Sequence, residues 1–252
     1  MQVQRMQVCL NGGRTPGDHP SVPVTPAELA ASAAEAVGAG AEAIHMHPRA
    51  ADGTESLSAA DIGAAVAAVR AAVPGTPVGV STGLWITAGD PGARHAAVSA
   101  WAGLPADSRP DYASLNLCEP GSAELPALLE SAGIATEAGI WSVADVALLD
   151  RAEPPAGWLR IMIEILKTPA TAAIAAANDI VHEVREVNAA VPVLLHGENE
   201  SCWLLISHAG ALGLAARIGL EDTIELPDGT PAAGNAALVR LGLDRWGAAG
   251  SQ

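Results

Sequence analysis

Eight short apolar segments alternate with Ala-rich segments of helical pattern, and this alternation limits the folds open to the chain. The predicted strands lie near 5–11, 42–47, 77–82, 111–117, 134–140, 158–166, 192–196 and 215–220. The helical patterns lie near 26–38, 58–73, 91–103, 122–132, 142–151, 169–188, 200–213 and 231–243. Eight strand–helix repeats in 252 residues are more typical of a (β/α)8 TIM barrel than of an open doubly wound sheet. We therefore expect residues 1–252 to form a single α/β domain of this class.

The first helical pattern carries its own start signal. Thr25 is a suitable N-cap, Pro26 fits the first helical position, and Glu28 completes a capping box. Gly38 and Gly40 are suited to the C-terminal end of the helix. These local signals agree with the apolar pattern and predict a helix over 26–38.

The chain is strongly acidic, with a formal net charge of −15. Such a surface repels nucleic acids and anionic membranes, so neither is an expected partner. No apolar run approaches the length of a membrane span, and no secretory leader is evident. The three cysteines share no metal-binding spacing and are predicted to be buried free thiols of a reducing compartment, namely Cys9, Cys118 and Cys202. We expect a soluble cytoplasmic protein.

Two histidines two residues apart, His45 and His47, end the second predicted strand in the run AIHMHPR. Side chains alternate along a strand, so both imidazoles lie on one face, whereas a helix would set them far apart around its axis. Two convergent imidazoles suit a divalent metal, and zinc in particular. An ordinary pair of histidines at a strand end is the alternative.

Other polar residues fall where predicted strands end, and that rim carries the chemistry of TIM barrels. An interior filled with aliphatic side chains has no structural need for so many polar groups, so the clustering favours an enzyme. Thr82 and Asn116 are candidate substrate-binding residues on this basis. The full set is Asn11, Arg14, His45, His47, Arg49, Ser81, Thr82, Asn116, Glu137, Glu164, His196, Glu198, Arg217, Glu221 and Asp222.

A catalytic zinc site has three protein ligands and an open position, so a third ligand is expected. In a closed barrel strand eight lies beside strand one, which makes Glu221 a geometric candidate, with Glu137 and His196 as alternatives. An exposed loop acid is the other interpretation of Glu221. Arg217 lies among aliphatic residues, and a guanidinium buried there needs a partner, for which Asp222 is the candidate. That pair either contacts a substrate or is a structural ion pair that stabilises the closed barrel.

Five segments of the chain together resemble the β-keto acid cleavage enzymes, the family of the 3-keto-5-aminohexanoate cleavage enzyme. They are NGGRTP followed by VPVTPAELAASAAEAVGAGAEAIHMHPR, then GVSTG, ASLNL, the strand that contains Glu137, and ARIGLEDT followed by AAGNAALV. The match keeps the order of the family and spans nearly the whole chain. The HxHxR and RxGLED blocks are specific in combination.

The resemblance implies a TIM-barrel catalytic domain with Zn²⁺ held by His45, His47 and Glu221. The family reaction is an acyl exchange in which a β-keto acid and acetyl-CoA give acetoacetate and a new acyl-CoA. The expected activity is therefore that of an acyltransferase that also cleaves a carbon–carbon bond. A small-molecule β-keto acid and acetyl-CoA are the implied partners, and no redox cofactor is needed.

The resemblance also implies roles for four further residues. In family terms Arg217 and Asp222 hold and deprotonate the keto acid. Ser81 and Glu137 belong to the shell that binds the substrate and handles protons. Members of the family form homo-oligomers, often tetramers, and the resemblance implies the same habit for this chain.

Arg14 is a departure from the aminohexanoate enzyme, which has an acidic residue there to meet the substrate amine. A guanidinium at this position predicts a substrate with an anionic or polar uncharged distal group, such as a β-keto dicarboxylate, and not an amino-keto acid. The segments before Arg217 and after His196 also differ from the usual family patterns. Contacts to the substrate side chain and to CoA are therefore less defined than the metal ligands.

Two other functions are open. A metal-dependent hydrolase or aldolase of the TIM-barrel class also uses HxH, but an amidohydrolase needs a further Lys or His ligand on a middle strand. Lys167 is the single lysine of the chain, and no histidine lies between His95 and His182. A catalytically silent metal-binding barrel predicts a closed four-ligand site and no dependence on CoA.

Overall fold

Eight parallel strands close into a barrel in sequence order in the computed structural model, which describes residues 1–152, 154 and 156–250. Each of the eight predicted segments overlaps one strand, and the last strand pairs with the first. The (β/α)8 TIM barrel is therefore confirmed. The strands are β1 (Met6–Cys9), β2 (Ala43–Met46), β3 (Val78–Ser81), β4 (Tyr112–Asn116), β5 (Ala135–Ile140), β6 (Arg160–Ile165), β7 (Val193–Gly197) and β8 (Ala215–Ile218).

Helices follow the strands and cover the outside of the barrel. They are α1 (Pro26–Gly38), α2 (Ala59–Ala72), α3 (Pro91–Ser99), α4 (Leu125–Ser131), α5 (Val143–Val146), α6 (Leu149–Ala152), α7 (Ala170–Val187), α8 (Cys202–Leu212) and α9 (Asn235–Gly250). The helix predicted over 142–151 is two short helices, and α9 begins later than predicted because Pro231 forms an antiparallel bridge with Glu225. Within the described residues, no helix combines the length and apolar character needed to cross a membrane.

The start of α1 has the predicted capping box. The Thr25 hydroxyl accepts a hydrogen bond from the Glu28 amide at 3.3 Å, and the Glu28 carboxylate accepts one from the Thr25 amide at 2.9 Å. Together these bonds satisfy two backbone donors at this end of the helix. Gly40, just beyond the helix, has a φ of +109°, a conformation that favours glycine.

The interior of the barrel is partly polar, whereas the main aliphatic core lies between the barrel and the helices. Tyr112 crosses the interior and donates to the Ile44 carbonyl at 2.6 Å, and it accepts from the Gln7 amide at 2.8 Å. Gly79 leaves room for this ring, since a Cβ there would lie 2.1 Å from a ring carbon. Arg160 is buried beside this ring and pairs with Glu137.

The cysteines are free, as predicted, but they are not all buried. Cys9 and Cys202 are buried, whereas Cys118 is exposed. Cys118 lies just beyond β4, where the chain leaves the barrel, so the prediction that all three thiols are buried is wrong for this residue.

Candidate metal and substrate site

A cavity of about 490 Å³ opens at the carboxyl ends of the strands. Trp85, Ser114 and Trp141, which the sequence did not single out, are among its lining residues. Thr82 and Glu137 were predicted for the site but do not line the cavity. The predicted residues that do line it are Arg14, His45, His47, Ser81, Asn116, Glu164, His196, Glu198, Arg217, Glu221 and Asp222.

Three predicted metal ligands converge in this cavity. His45 in β2 and His47 just after it both point their rings inward, and their Nε2 atoms lie 3.1 Å apart. Glu221 follows β8 and brings its carboxylate oxygens to 3.7 Å from His45 Nε2 and 3.6 Å from His47 Nε2. One possible ligand atom from each residue lies within 4.8 Å of the others, so the group can hold a metal ion.

The glycine-rich loop after β1 makes room for Glu221. Gly12 has a φ of +52°, and a Cβ at this position would lie 2.3 Å from Glu221 Cγ. A side chain at position 12 would therefore displace the carboxylate from the two histidines. This contact gives the NGG motif a structural role beside the candidate metal site.

The donor set fits a divalent cation. Burial holds the pKa of His45 well below its usual range, which leaves a neutral ring with a free lone pair. Burial raises the pKa of Glu221, but Arg217 and the two histidines lower it well below its usual range. Within the described part of the chain, the buried Glu221 Oε2 has no hydrogen-bond partner. Two imidazoles and one carboxylate are a donor set found in catalytic zinc sites.

The neighbouring carboxylates favour the positively charged form of His47. Burial lowers the pKa of His47, but Glu221 and Glu55 raise it to about 9. A proton on this ring occupies the position that a metal takes, because a metal binds the neutral imidazole. The carboxylates that hold this proton would also attract a divalent ion.

Arg217 and Asp222 form the predicted buried pair, 3% and 2% exposed. Arg217 donates to Asp222 Oδ1 at 3.1 Å and to Glu221 Oε1 at 2.7 Å, so one guanidinium compensates two carboxylates. The Cys9 thiol donates to the other oxygen of Asp222 at 2.6 Å. The pair lines the cavity beside the candidate metal ligands, a position from which it can contact a bound molecule.

His196 lies on the Asp222 side of the cavity and is not part of the three-residue metal cluster. Its Nε2 is 3.1 Å from Glu164 Oε2, and its Nδ1 is 3.6 Å from Asp222 Oδ1. Trp141 donates to the second oxygen of Glu164 at 3.0 Å. Burial raises the pKa of Glu164, but hydrogen bonds from His196 and Trp141 and the charge of Arg217 lower it below its usual value.

A similar arrangement lies on the His47 side. His47 Nδ1 is 2.5 Å from Glu55 Oε1, and Trp85 donates to Glu55 Oε2 at 3.0 Å. Neither Glu55 nor Trp85 belongs to a periodic pattern, since both lie in segments that follow strands. The HxH motif is the one sequence signal for such a carboxylate. Metal-binding histidines usually donate their second ring N–H to an acceptor that does not itself bind the metal.

Arg14, Ser81 and Asn116 contact the cavity as well as the protein. Arg14 donates to the Glu221 backbone oxygen at 3.1 Å and to the Asn199 amide oxygen at 2.9 Å. Ser81 Oγ accepts from an amide in the following turn, and Asn116 donates to Glu119 at 2.9 Å. All three remain candidate substrate contacts by position.

Thr82 and Glu137 are held away from the cavity for identifiable reasons. Thr82 follows the inward-facing Ser81, so alternation turns it away, and its hydroxyl donates to the Ser114 carbonyl at 2.8 Å. Glu137 is fully buried and pairs with Arg160. Gly139 occupies the cavity level of β5, since a Cβ there would lie 2.7 Å from Asn116 Oδ1 and from Glu164 Oε1.

Comparisons with known proteins agree with the resemblance seen in the sequence. A family model described as beta-keto acid cleavage enzyme matches residues 6–245. A search of the curated proteins found no match.

Solved structures support the fold. A binary complex of ObcA with oxaloacetate has a TM-score of 0.69 and 19% identity, and covers 88% of this chain and 63% of that one. A ternary complex of ObcA with a C4-CoA adduct and oxalate has a TM-score of 0.70 and 18% identity, with the same coverage. This chain thus spans about three fifths of ObcA. A type I 3-dehydroquinate dehydratase from Clostridium difficile has a TM-score of 0.64 at 9% identity, covering 96% and 91%.

Proposed function

Because the chain belongs to the β-keto acid cleavage enzyme family, we propose that it exchanges acyl groups between a β-keto acid and acetyl-CoA. The products would be acetoacetate and a new acyl-CoA. One observation carries the proposal: three candidate metal ligands and the buried Arg217–Asp222 pair share one cavity. The reaction needs an acidic C–H bond of the substrate held beside a general base and a Lewis acid, and this cavity contains a candidate base and residues that could hold a metal ion.

The metal is proposed to be Zn²⁺, held by His45, His47 and Glu221. When bound, it would supply a Lewis acid that polarises the keto oxygen of the substrate. All three residues line the cavity, so an ion held by them would be accessible to a substrate, as a catalytic site with a free coordination position requires.

Asp222 is proposed as the general base. Arg217 and the Cys9 thiol hold its carboxylate at the cavity wall by hydrogen bonds to both oxygens. From there it would take a proton from the carbon between the keto and carboxylate groups of the substrate. Arg217 would at the same time keep the carboxylate oriented and favour binding of the anionic keto acid.

The remaining steps conserve atoms and charge. The deprotonated carbon attacks the thioester carbon of acetyl-CoA, and the CoA sulfur leaves and takes the proton that Asp222 held. The thiol then returns its proton to Asp222 and attacks the original keto carbon. The carbon–carbon bond breaks, and the departing acetoacetate carbon recovers the proton. Asp222 thus takes up and gives back a proton twice per cycle, with no net gain of protons and no oxidant or reductant.

Arg14 is proposed to select the distal end of the substrate. Its hydrogen bonds go to two neutral oxygens, so no hydrogen-bonded carboxylate cancels its charge. An anionic or polar uncharged group in the cavity can therefore pair with it. The binary ObcA complex contains oxaloacetate, which is itself a β-keto dicarboxylate, and this supports the proposed substrate class.

The test is a screen of zinc-loaded, purified protein with acetyl-CoA and a panel of β-keto mono- and dicarboxylates. We expect acetoacetate and a new acyl-CoA in equal amounts, and no turnover by a His45→Ala variant. Formation of a free acid without consumption of acetyl-CoA would instead indicate a hydrolase or aldolase. Absence of any product across the panel would contradict an acyl exchange on these substrates.

A further inference from the structure

Glu55 joins two aromatic rings at the edge of the cavity. Its Oε1 lies 2.5 Å from His47 Nδ1, and its Oε2 accepts the indole N–H of Trp85 at 3.0 Å. Its side chain is 14% exposed, so both oxygens are committed inside the protein. Such a carboxylate is fixed in direction, because turning it to improve one bond would break the other.

The bond to Glu55 determines which nitrogen of His47 faces the metal cluster. A carboxylate accepts a proton, so Nδ1 is the donor and Nε2 is directed at Glu221 and His45. His45 has no such support among the described residues, where its buried Nδ1 lacks a hydrogen-bond partner. The direction of one proposed ligand thus depends on Glu55, and that of the other depends on strand geometry alone.

Trp85 in turn holds Glu55. The indole is stacked on His47, with ring centroids 6.1 Å apart and an interplanar angle of 21°. Gly83 allows the indole to fold back over the chain, since a Cβ there would lie 2.2 Å from the ring. Trp85 is 50% exposed and lines the cavity, whereas a tryptophan ring is usually more buried.

We propose that Glu55 is the positioning residue of the candidate metal centre, fixing the tautomer and direction of His47, and that Trp85 keeps Glu55 in place. This inference rests on the metal site of the proposed function. Groups that hold a metal-binding histidine through its second nitrogen typically change metal affinity by about 10- to 100-fold when they are removed. Nothing in the family match assigns these two residues a role.

The test is the apparent dissociation constant of full-length protein for Zn²⁺, measured by competition with a chromophoric chelator at fixed pH. We expect Glu55→Gln to bind about 10- to 100-fold more weakly than wild type. Trp85→Phe keeps a stacked ring but lacks the N–H, and a smaller loss is expected. Asp52→Asn is the matched control, because Asp52 lies in the same loop and its carboxylate accepts hydrogen bonds from the amide and hydroxyl of Thr54. Its affinity should match that of wild type.

The outcomes separate the two hypotheses. If wild type binds Zn²⁺ and Glu55→Gln binds it equally well, the positioning role is wrong while the metal site stands. If wild type binds no Zn²⁺, both are wrong. Thermal unfolding of the metal-free variants checks that they are folded. Should Glu55→Gln not fold, an unchanged Zn²⁺ affinity and Co²⁺ absorption spectrum of Trp85→Phe would overturn the proposal.

Discussion

Arg217 sets the charge balance of the candidate site at the scale of single residues. It is buried, and its guanidinium contacts both the proposed ligand Glu221 and the proposed base Asp222. Two adjacent carboxylates would repel each other in so enclosed a place without this cation. The same side chain therefore allows a metal ligand and a base to be neighbours in the chain.

Asp222→Asn is expected to lower the rate of acyl exchange by about 10²- to 10⁴-fold, because an amide cannot take the substrate proton. The Zn²⁺ affinity should change little, since Asp222 is not in the three-residue cluster. Turnover of the best keto acid and chelator competition measure the two properties on one preparation. Loss of the metal from this variant would assign Asp222 as a ligand instead.

Arg14→Glu is expected to shift substrate preference towards keto acids that carry a distal amine. The variant replaces a cation at the cavity wall with an anion, so a dicarboxylate should lose affinity and an amine should gain it. The ratio of kcat/KM for a β-keto dicarboxylate and an amino-keto acid is the measurement. An unchanged ratio would show that Arg14 does not meet the distal group.

At the scale of elements, the conformation of the loop after β1 and that of the loop after β8 depend on each other, because Gly12 lies against Glu221. Gly12→Ala should weaken Zn²⁺ binding by about tenfold or more, since the added methyl would overlap Glu221. The left-handed backbone at this position adds about 1–2 kcal/mol of strain. Gly17→Ala is the control, because Gly17 lies in the same loop and a Cβ there makes an ordinary 3.4 Å contact with Thr15 Oγ1. Equal affinities for the two variants would refute this coupling.

The strands were predictable because each is a short apolar run, and the helix start at Thr25 was predictable from its cap. The HxH motif predicted inward-facing rings because strand alternation is a local rule. Glu137 was not placed correctly, since its level in the barrel depends on the stagger of β5 against its neighbours. Glu55 and Trp85 were missed because their partners are fixed by tertiary contacts of irregular segments, which carry no period.

At the scale of the whole molecule, the candidate ligands come from the end of β2 and from the loop after β8. A bound metal would therefore link distant parts of the chain. Zn²⁺ should therefore raise the unfolding temperature of metal-free protein. At a hundredfold excess over Kd the added stability is about 2.7 kcal/mol. Differential scanning calorimetry with and without Zn²⁺ measures it, and His47→Ala should show no shift. A rise of equal size in that variant would mean that the ion acts elsewhere.

The filled lower half of the barrel has a kinetic consequence. Met162 lines the cavity, and below it Tyr112 and Arg160 occupy the interior, so the two proposed reactants would have to share the mouth at the strand ends. A long thioester lying across that mouth would obstruct a keto acid that arrived second. We expect compulsory-order kinetics, with the keto acid binding first, in initial-rate and product-inhibition measurements. A random order would mean that the mouth admits both molecules side by side.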